Sequence, residues 1–466
     1  MKKLLLLLLS FIVLFEFSCR KDSFITGKDA LIRTSSDTLF FDTVFTSAGS
    51  VTQAVRIINT NNQKLRLTEV KLMGGTASPY TINIDGIAGP ARSDLELEAG
   101  DSIYVFVAVR INPGSASLPF ILQDSIAISY NGKQQFIQLQ AWGQNAHFLR
   151  NEEISVNTVW DKTLPYVILG GLQVDTGATL TIPAGCRVYF HADAPLLVDG
   201  TLQVAGDHSD SMKVYFQSDR LDVPYRDFPG SWPGIYFRET SNHNHLQYAV
   251  IRNANQAIVA QSPPVGGVAS LTLDECVIDN SYDVGILGVQ GSVQANNCLI
   301  SNCGKDLELG GGGDYQFTHC TAAAFSNNYI SHTQPVLSVS DVYTQGGVSA
   351  TGVLSASFIN CIIWGDNGNV DNEVSVSRQG SSPFTVSFTN CLWKVKTAPS
   401  GVAATGMVAN LDPMFDSVNN AQNFYNFRLK AGSPAVDKGV MTGLIVDLDG
   451  NPRAVGLPDL GGYERQ

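Results

Sequence analysis

The chain has 466 residues, 44% of them hydrophobic, and a formal net charge of −12. That length exceeds what one hydrophobic core fills, roughly 250 to 300 residues outside elongated repeat folds, so two folded units are expected. The acidic balance argues against a nucleic-acid partner and against electrostatic attachment to anionic lipid heads, since both need basic surface.

At the start, Lys2 and Lys3 precede an apolar run from Leu4 to Phe15 broken only by Ser10, and Phe17-Ser18-Cys19 follows. The run is too short to span a bilayer as a helix and reads as the core of a signal peptide over residues 1–18. Ser18 supplies the small residue beside the cut and Cys19 a thiol for diacylglyceryl transfer, so the segment resembles a bacterial lipobox. Glu16 and Phe17 depart from the strict pattern. A lipidated Cys19 places the chain at the outer membrane or cell surface through its lipid; a plainly secreted chain or an uncleaved anchor is the alternative. Residues 19–36 are polar and read as a tether.

From 37 to 145 the pattern becomes short alternating strands: Leu39 to Phe45, Thr52 to Asn59, Leu65 to Leu72, Tyr80 to Ile84, Ile103 to Val109, Ser125 to Ser129 and Gln135 to Ala141. Period-2 alternation, as at Ile137, Leu139 and Ala141, marks half-buried strands, and pairs such as Asn131-Gly132 mark turns between them. This predicts a β-sandwich. Phe41 to Phe45, Val55 to Asn59 and Ala99 to Ile103 together resemble the abnormal-spindle/hydin type of immunoglobulin-like domain. That resemblance implies an adhesive or spacing module without catalytic residues.

Beyond Thr158 the strands echo one another. Leu180 to Leu202 and Ile182 to Val204 are both steps of 22 residues. A second echo runs through Val188-Tyr189-Phe190, Val214-Tyr215-Phe216 and Ile235-Tyr236-Phe237. A third is carried by Cys276, Cys298, Cys320, Cys361 and Cys391, the first two steps again being 22. Short strands at that period bury an apolar face only by stacking coil on coil, which predicts a right-handed parallel β-helix over 158–466. Equivalent side chains then align about 4.8 Å apart along the axis, so the cysteines read as an inward stack of small apolar groups. Disulfides between coils are the alternative; zinc is disfavoured because no CxxC occurs and thiols in one line do not converge on a tetrahedron. The asparagine before three of these cysteines reads as a corner residue that tolerates left-handed backbone.

The end of the chain carries Leu411-Asp412-Pro413, Gly432-Ser433-Pro434-Ala435-Val436-Asp437, Asp447-Leu448-Asp449-Gly450-Asn451-Pro452-Arg453 and Asp459-Leu460-Gly461-Gly462-Tyr463-Glu464. This succession resembles the end of the choice-of-anchor Q family of surface β-helix proteins, apart from Gly462 where alanine is usual. The resemblance implies a surface β-helix and no agreed activity.

A catalytic set does not stand out. Between Leu246 and Trp393 only Arg252, Lys305 and Arg378 are basic, which argues against a polyuronate lyase, since that chemistry needs cations and an Arg or Lys base. A hydrolase needs two carboxyls flanking the bond. Asp306, Glu308 and Asp314, around the run Gly310 to Gly313, form the most site-like stretch and are candidate glycan contacts; a solvated loop is the plainer reading. Asp447, Asp449 and Asn451 place oxygens at alternate positions like the start of a calcium loop, but the twelfth position is Pro458, not glutamate. The plainer reading is a turn with a hydrogen-bonded Arg453. His243, His245, His319 and His332 lack metal-ligand spacing. Trp232, Tyr282, Tyr315, Trp364 and Trp393 are candidate sugar platforms, with core packing expected for most. The sequence therefore predicts a surface-anchored binding or display module for glycans or a cell-surface protein. The alternative is a polysaccharide-degrading enzyme, a hydrolase before a lyase.

Overall fold

A computed structural model of the chain describes residues 23–45, 50–110, 120–223, 225–366, 368–453 and 456–466. Residues 1–18 and Cys19 lie outside the described residues. No helix among those described is long and apolar enough to cross a membrane. The chain divides into two compact units, residues 1–145 and 146–466.

The first unit is an immunoglobulin-like β-sandwich of two five-stranded sheets. In Ser102–Val109 every second side chain is buried, and Leu65–Leu72 buries Leu65, Leu67, Val70 and Leu72 across a bulge, so each strand offers one apolar row to the core between the sheets. Asn131 and Gly132 both take positive φ, +45° and +72°, and join Phe120–Tyr130 to Lys133–Gln144 as a two-residue hairpin. Three strands go beyond the sequence reading, one of them the two-residue Ile87–Ala88. The tether expected over 19–36 is partly sandwich: Ala30 is buried and Ile32–Thr34 pairs antiparallel with Gln53–Asn59. The strand Ala91–Leu97 was not expected, because its first half, Ala-Arg-Ser-Asp, has no apolar alternation to mark it.

The second unit is a right-handed parallel β-helix, a single connected system of 26 strands. Most strands pair with the third strand before and after, so three parallel sheets wrap the core. Successive turns of one sheet are Leu196–Val198, Ile235–Phe237 and Gln256–Ala260. The second sheet holds Thr201–Ala205, Asn244–Gln247 and Leu271–Asp274, and the third Val214–Ser218, Ala249–Arg252 and Val277–Asp279. The coil begins earlier than Thr158, with His147–Ile154 paired parallel to Tyr166–Val174. That first turn leaves most of its side chains exposed, so it lacks the apolar signature that marks later turns. One echo was misaligned. Val188 pairs with Phe216 rather than Val214, and Ile235–Phe237 lies in a different sheet. An in-out-in triplet reads alike on all three faces, so the triplet alone does not fix which face it occupies.

The corner between the second and third sheets is one residue long. Tyr248, Glu275, Asn297, His319, Asn360, Asn390 and Gly406 occupy it with φ between +47° and +65°. The inward residue after each forms the expected ladder. Ala249, Cys276, Cys298, Cys320, Cys361 and Cys391 are all buried, and pairing of the residues that follow them puts them in register. All seven described cysteines are free. Each stacked thiol reaches a carbonyl two residues back, such as Cys298 Sγ to Asn296 O at 3.2 Å. Burial pushes the thiols of Cys298, Cys320 and Cys361 well up, so they stay protonated and act as small apolar groups with a weak donor. Beside them Phe317, Phe358 and Phe388 stack at centroid distances of 5.2 and 4.9 Å.

The outer face of the third sheet is apolar, with Leu299, Ile362, Trp364 and Leu392 buried beneath the chain's last segment. That segment includes the hairpin of Phe415–Asn419 and Phe424–Leu429, and it supplies Leu448, Leu460 and Tyr463. Its polar side follows the corner ladder back toward earlier coils. Asn390 Nδ2 donates to Lys438 O, Asn360 exchanges bonds with Val440, His319 meets Asp459, and Arg453 donates to Asn297 Oδ1. Arg453, expected to be hydrogen-bonded, is buried and also meets Glu464 and the carbonyls of Gly461 and Gly462.

Two outcomes test this architecture. Cys298→Leu adds volume between packed rungs and is expected to cost about 1 to 3 kcal/mol in denaturant unfolding, more than Cys298→Ala. The second concerns pH. His319 Nε2 accepts from Asn360 Nδ2 at 2.8 Å while Nδ1–H donates to Asp459 O at 3.1 Å, an arrangement that needs neutral imidazole. Burial, then Arg453, pushes its pKa down to about 3. The stability it contributes is complete above its ordinary value of about 6.5 and lost as pH falls toward 3. Glu464, pushed up to about 7 mainly by burial, acts oppositely: its contribution is complete below 4.5 and lost as pH rises through 7. Of these two groups, His319 alone is still losing its contribution below pH 4.5. Hydrogen exchange at the Gly461 and Gly462 amides, corrected for intrinsic rate, should therefore accelerate from pH 4.5 to 3, and less so in H319Q.

Candidate functional site

The three glycan candidates do not converge. Residues 305–318 form one long strand, not a solvated or flexible loop. Asp306 is wholly buried; its Oδ1 accepts from Cys303 N at 3.1 Å, and burial pushes the carboxyl well above the usual range. Glu308 is half-buried and paired with Lys305 at 2.8 Å. Asp314 lies beyond a bend, in the second sheet, opposite Ser292 and Ser355. The bend explains the glycines. Gly311, Gly312 and Gly313 have φ of +72°, +113° and +120°, and a Cβ at Gly313 would lie 2.5 Å from the Tyr315 hydroxyl. Tyr315 turns inward there and donates to Gly312 O.

The calcium-like segment has its oxygens engaged within the protein. Asp447 is buried and accepts from the backbone N–H groups of Asp449, Asn451 and Glu464. Asp449 takes both arms of Arg428, at 2.6 and 2.7 Å, and Asn451 turns its amide toward Asp447. Arg428 in turn lies over the Tyr463 ring. No group of three or more His, Cys, Asp or Glu among the described residues has metal-binding geometry.

The remaining candidates also resolve. Trp232, Tyr315, Trp364 and Trp393 are buried, Trp232 stacking on Phe190 at 4.3 Å, while Tyr282 is exposed. His319 and His332 are buried, and His332 Nε2 faces the buried carboxylate of Glu373, which also takes Lys394. His245 pairs with Asp274 at 2.7 Å on the second sheet. Asp274 and its neighbours raise the imidazole's pKa.

What the coil does form is a cleft of about 650 Å³ on the third sheet, where the covering segment leaves the sheet open. Its floor is Arg252, Val277, Asp279, Leu299 and Ser301. Along one edge stand Asn253, Asn280 and Asn302, a second corner ladder with φ of +62°, +57° and +54°. The walls come from Arg226 and Asp227, from Asn327 and Tyr329, and from the C-terminal hairpin through Phe424 and Tyr425. The asparagines are fixed rather than loose. Asn253 Nδ2 donates to Arg226 O, Asn280 Nδ2 to Asp227 O, and Asn302 Nδ2 to Asp279 Oδ1. Asp279 Oδ1 also accepts from Ser301 Oγ at 2.8 Å, and its Oδ2 lies 3.8 Å from Arg252. Arg226 pairs with Asp227 at 3.4 Å. Ring contacts hold two of the lining tyrosines: Tyr329 meets Phe228 at 5.1 Å, and Tyr425 stacks on Phe427 at 6.0 Å.

In the sequence Arg252 stands out only as one of three basic residues between Leu246 and Trp393, and Asp279 belongs to no tight motif. A signal for the edge was present: Asn280 and Asn302 each follow a ladder cysteine by four residues, so they repeat at the coil period. Nothing local marks Tyr329 or Tyr425, which reach the cleft from insertions between turns and from the far end of the chain.

No family model and no curated protein matches this chain. Among solved structures, a family 123 glycoside hydrolase from Clostridium perfringens is 9% identical over 28% of this chain and 31% of its own, with a TM-score of 0.19. A protein of unknown function from Porphyromonas gingivalis W83 is 8% identical over 26% of this chain and 58% of its own, also at 0.19. The CooA pilin subunit from enterotoxigenic Escherichia coli is 8% identical over 25% of this chain and 97% of its own, again at 0.19. Likeness of that degree carries no functional argument.

Because Asp447 and Asp449 already hold their partners, adding millimolar calcium is expected to leave the thermal midpoint unchanged. R428A, which frees Asp449, should lower it by a few degrees in calcium-free buffer. A calcium-dependent rise of the unsubstituted chain would show that the segment is a metal site.

Proposed function

We propose that the chain is a surface-anchored lipoprotein whose β-helix holds a glycan in the cleft on its third sheet. The observation that carries this reading is the composition of the cleft: side-chain amides, two arginine–carboxylate pairs and exposed rings line one open trough. Amides and charged groups fixed by their neighbours present hydrogen-bond donors and acceptors at set positions, and rings offer flat apolar faces, the two kinds of surface that a sugar ring displays. Attachment through Cys19 accords with the acidic chain, which lacks a basic route to a membrane. The choice-of-anchor Q-like end is the segment that bounds the cleft, so the same residues that close the coil shape the site.

A second reading, hydrolysis, draws on one observation: Asp227 and Asp279 both line the cleft, from different elements. Against it, Asp279 Oδ1 is taken by two donors and Oδ2 faces Arg252, so its oxygens are spent on holding the wall. The two readings separate on a glycan array and a reducing-end assay run with residues 20–466. Binding without release of reducing ends is expected. Release that D279N abolishes would establish the enzyme instead, and silence on a broad array would defeat the glycan reading.

A further inference from the structure

We propose that the end of the cleft under the C-terminal hairpin is a hydroxyl-recognition subsite for an uncharged sugar residue, built on the phenol of Tyr425. The inference rests on reading the cleft as a glycan site, and it specifies which glycans that site accepts.

Three observations converge. First, Tyr425 lines the cleft, and its hydroxyl is buried without a hydrogen-bond partner among the described residues. Its ring is held by Phe325 at 6.1 Å and Phe427 at 6.0 Å, contacts that a phenylalanine would make equally well. Burying an unpaired hydroxyl is unfavourable, so the oxygen has no use in the packing that the ring itself does not already serve.

Second, the phenol stands among negative charges. Burial, then the charges of Asp279 and Asp366, pushes it up to about 12, so it remains a donor. A ligand hydroxyl accepts from the phenol without adding charge, whereas a ligand carboxylate meets the like charges that already act there.

Third, the charges of the cleft cancel in place. Arg252 lies against Asp279 and Arg226 against Asp227, so an anionic sugar gains an arginine only by displacing that arginine's own partner. Tyr329 and Phe424, both exposed, supply apolar faces to the trough.

The test compares the unsubstituted chain with Y425F by calorimetric titration of neutral oligosaccharides drawn from the array, with uronate-containing oligosaccharides alongside. Because the hydroxyl has no partner in the protein, Y425F should melt at the same temperature or slightly higher. Its affinity for neutral glycans should fall about ten-fold, the loss of one buried hydrogen bond. Binding of the neutral class should also change little between low and moderate salt. Unchanged affinity in Y425F, or preference for uronates with strong salt dependence, overturns the subsite while leaving the cleft a glycan site. Absence of binding to every oligosaccharide overturns both.

Discussion

A left-handed residue precedes each stacked thiol in the coil, and the amide of that residue bonds to the next turn: Glu275 N to Asn296 O, Asn297 N to Thr318 O, His319 N to Ile359 O and Asn360 N to Asn390's predecessor, Thr389. The turn it makes is complete in one residue. Chain direction therefore changes without breaking the ladder, and the strand after the corner is already in register, as in Leu299 N to Cys276 O. So tight a corner leaves little room inside. Cysteine fits because its side chain is small and its thiol finds a carbonyl two residues back. Asparagine fits outside because its amide tolerates positive φ and bonds to the residue stacked on it, as Asn297 does with Glu275.

The outer side of that same corner is what the end of the chain grips. Groups on the ladder that would otherwise face water instead receive Lys438 O, Val440, Asp459 O and Arg453. The covering segment thus obtains its polar contacts from the corners and its apolar contacts from the third sheet. Beside the hairpin, polar Arg252, Asp279 and Ser301 join Val277 and Leu299 on the sheet's outer face, and there the cleft opens. Site and cover are two outcomes of one face changing from apolar to polar along its length.

Much of the coil was legible because cysteine is rare and its corner is rigid. Once Cys276, Cys298 and Cys320 set the step, the fold followed. The later step from Cys320 to Cys361 is longer because residues 325–336 and the hairpin of Val342–Gln345 with Val348–Thr351 intervene. Faces were harder to read, as the shift between Val188 and Val214 shows, since alternation carries no label for the sheet it belongs to. Asp306 misled because a charged residue in a Gly-rich stretch reads as solvated, whereas here it is wholly buried in a strand and burial pushes its carboxyl well up. The cleft was least legible. Its floor is local to the repeat, but Tyr329 and Tyr425 arrive from outside it, and their proximity exists only after the terminal segment has docked.

That docking has a consequence for biogenesis. A solenoid adds turns as the ribosome supplies them, and each new rung finds a template in the one before. The third sheet is different: Leu299, Ile362, Trp364 and Leu392 await Phe415, Phe427, Leu448 and Leu460, which are synthesised after the rungs they cover. Until then the nascent coil carries an apolar stripe open to chaperones and to neighbouring chains. A message cut short, or a nick before the strap, would leave that stripe bare on an otherwise finished coil. Proteolytic surveillance could thereby tell a completed molecule from a truncated one.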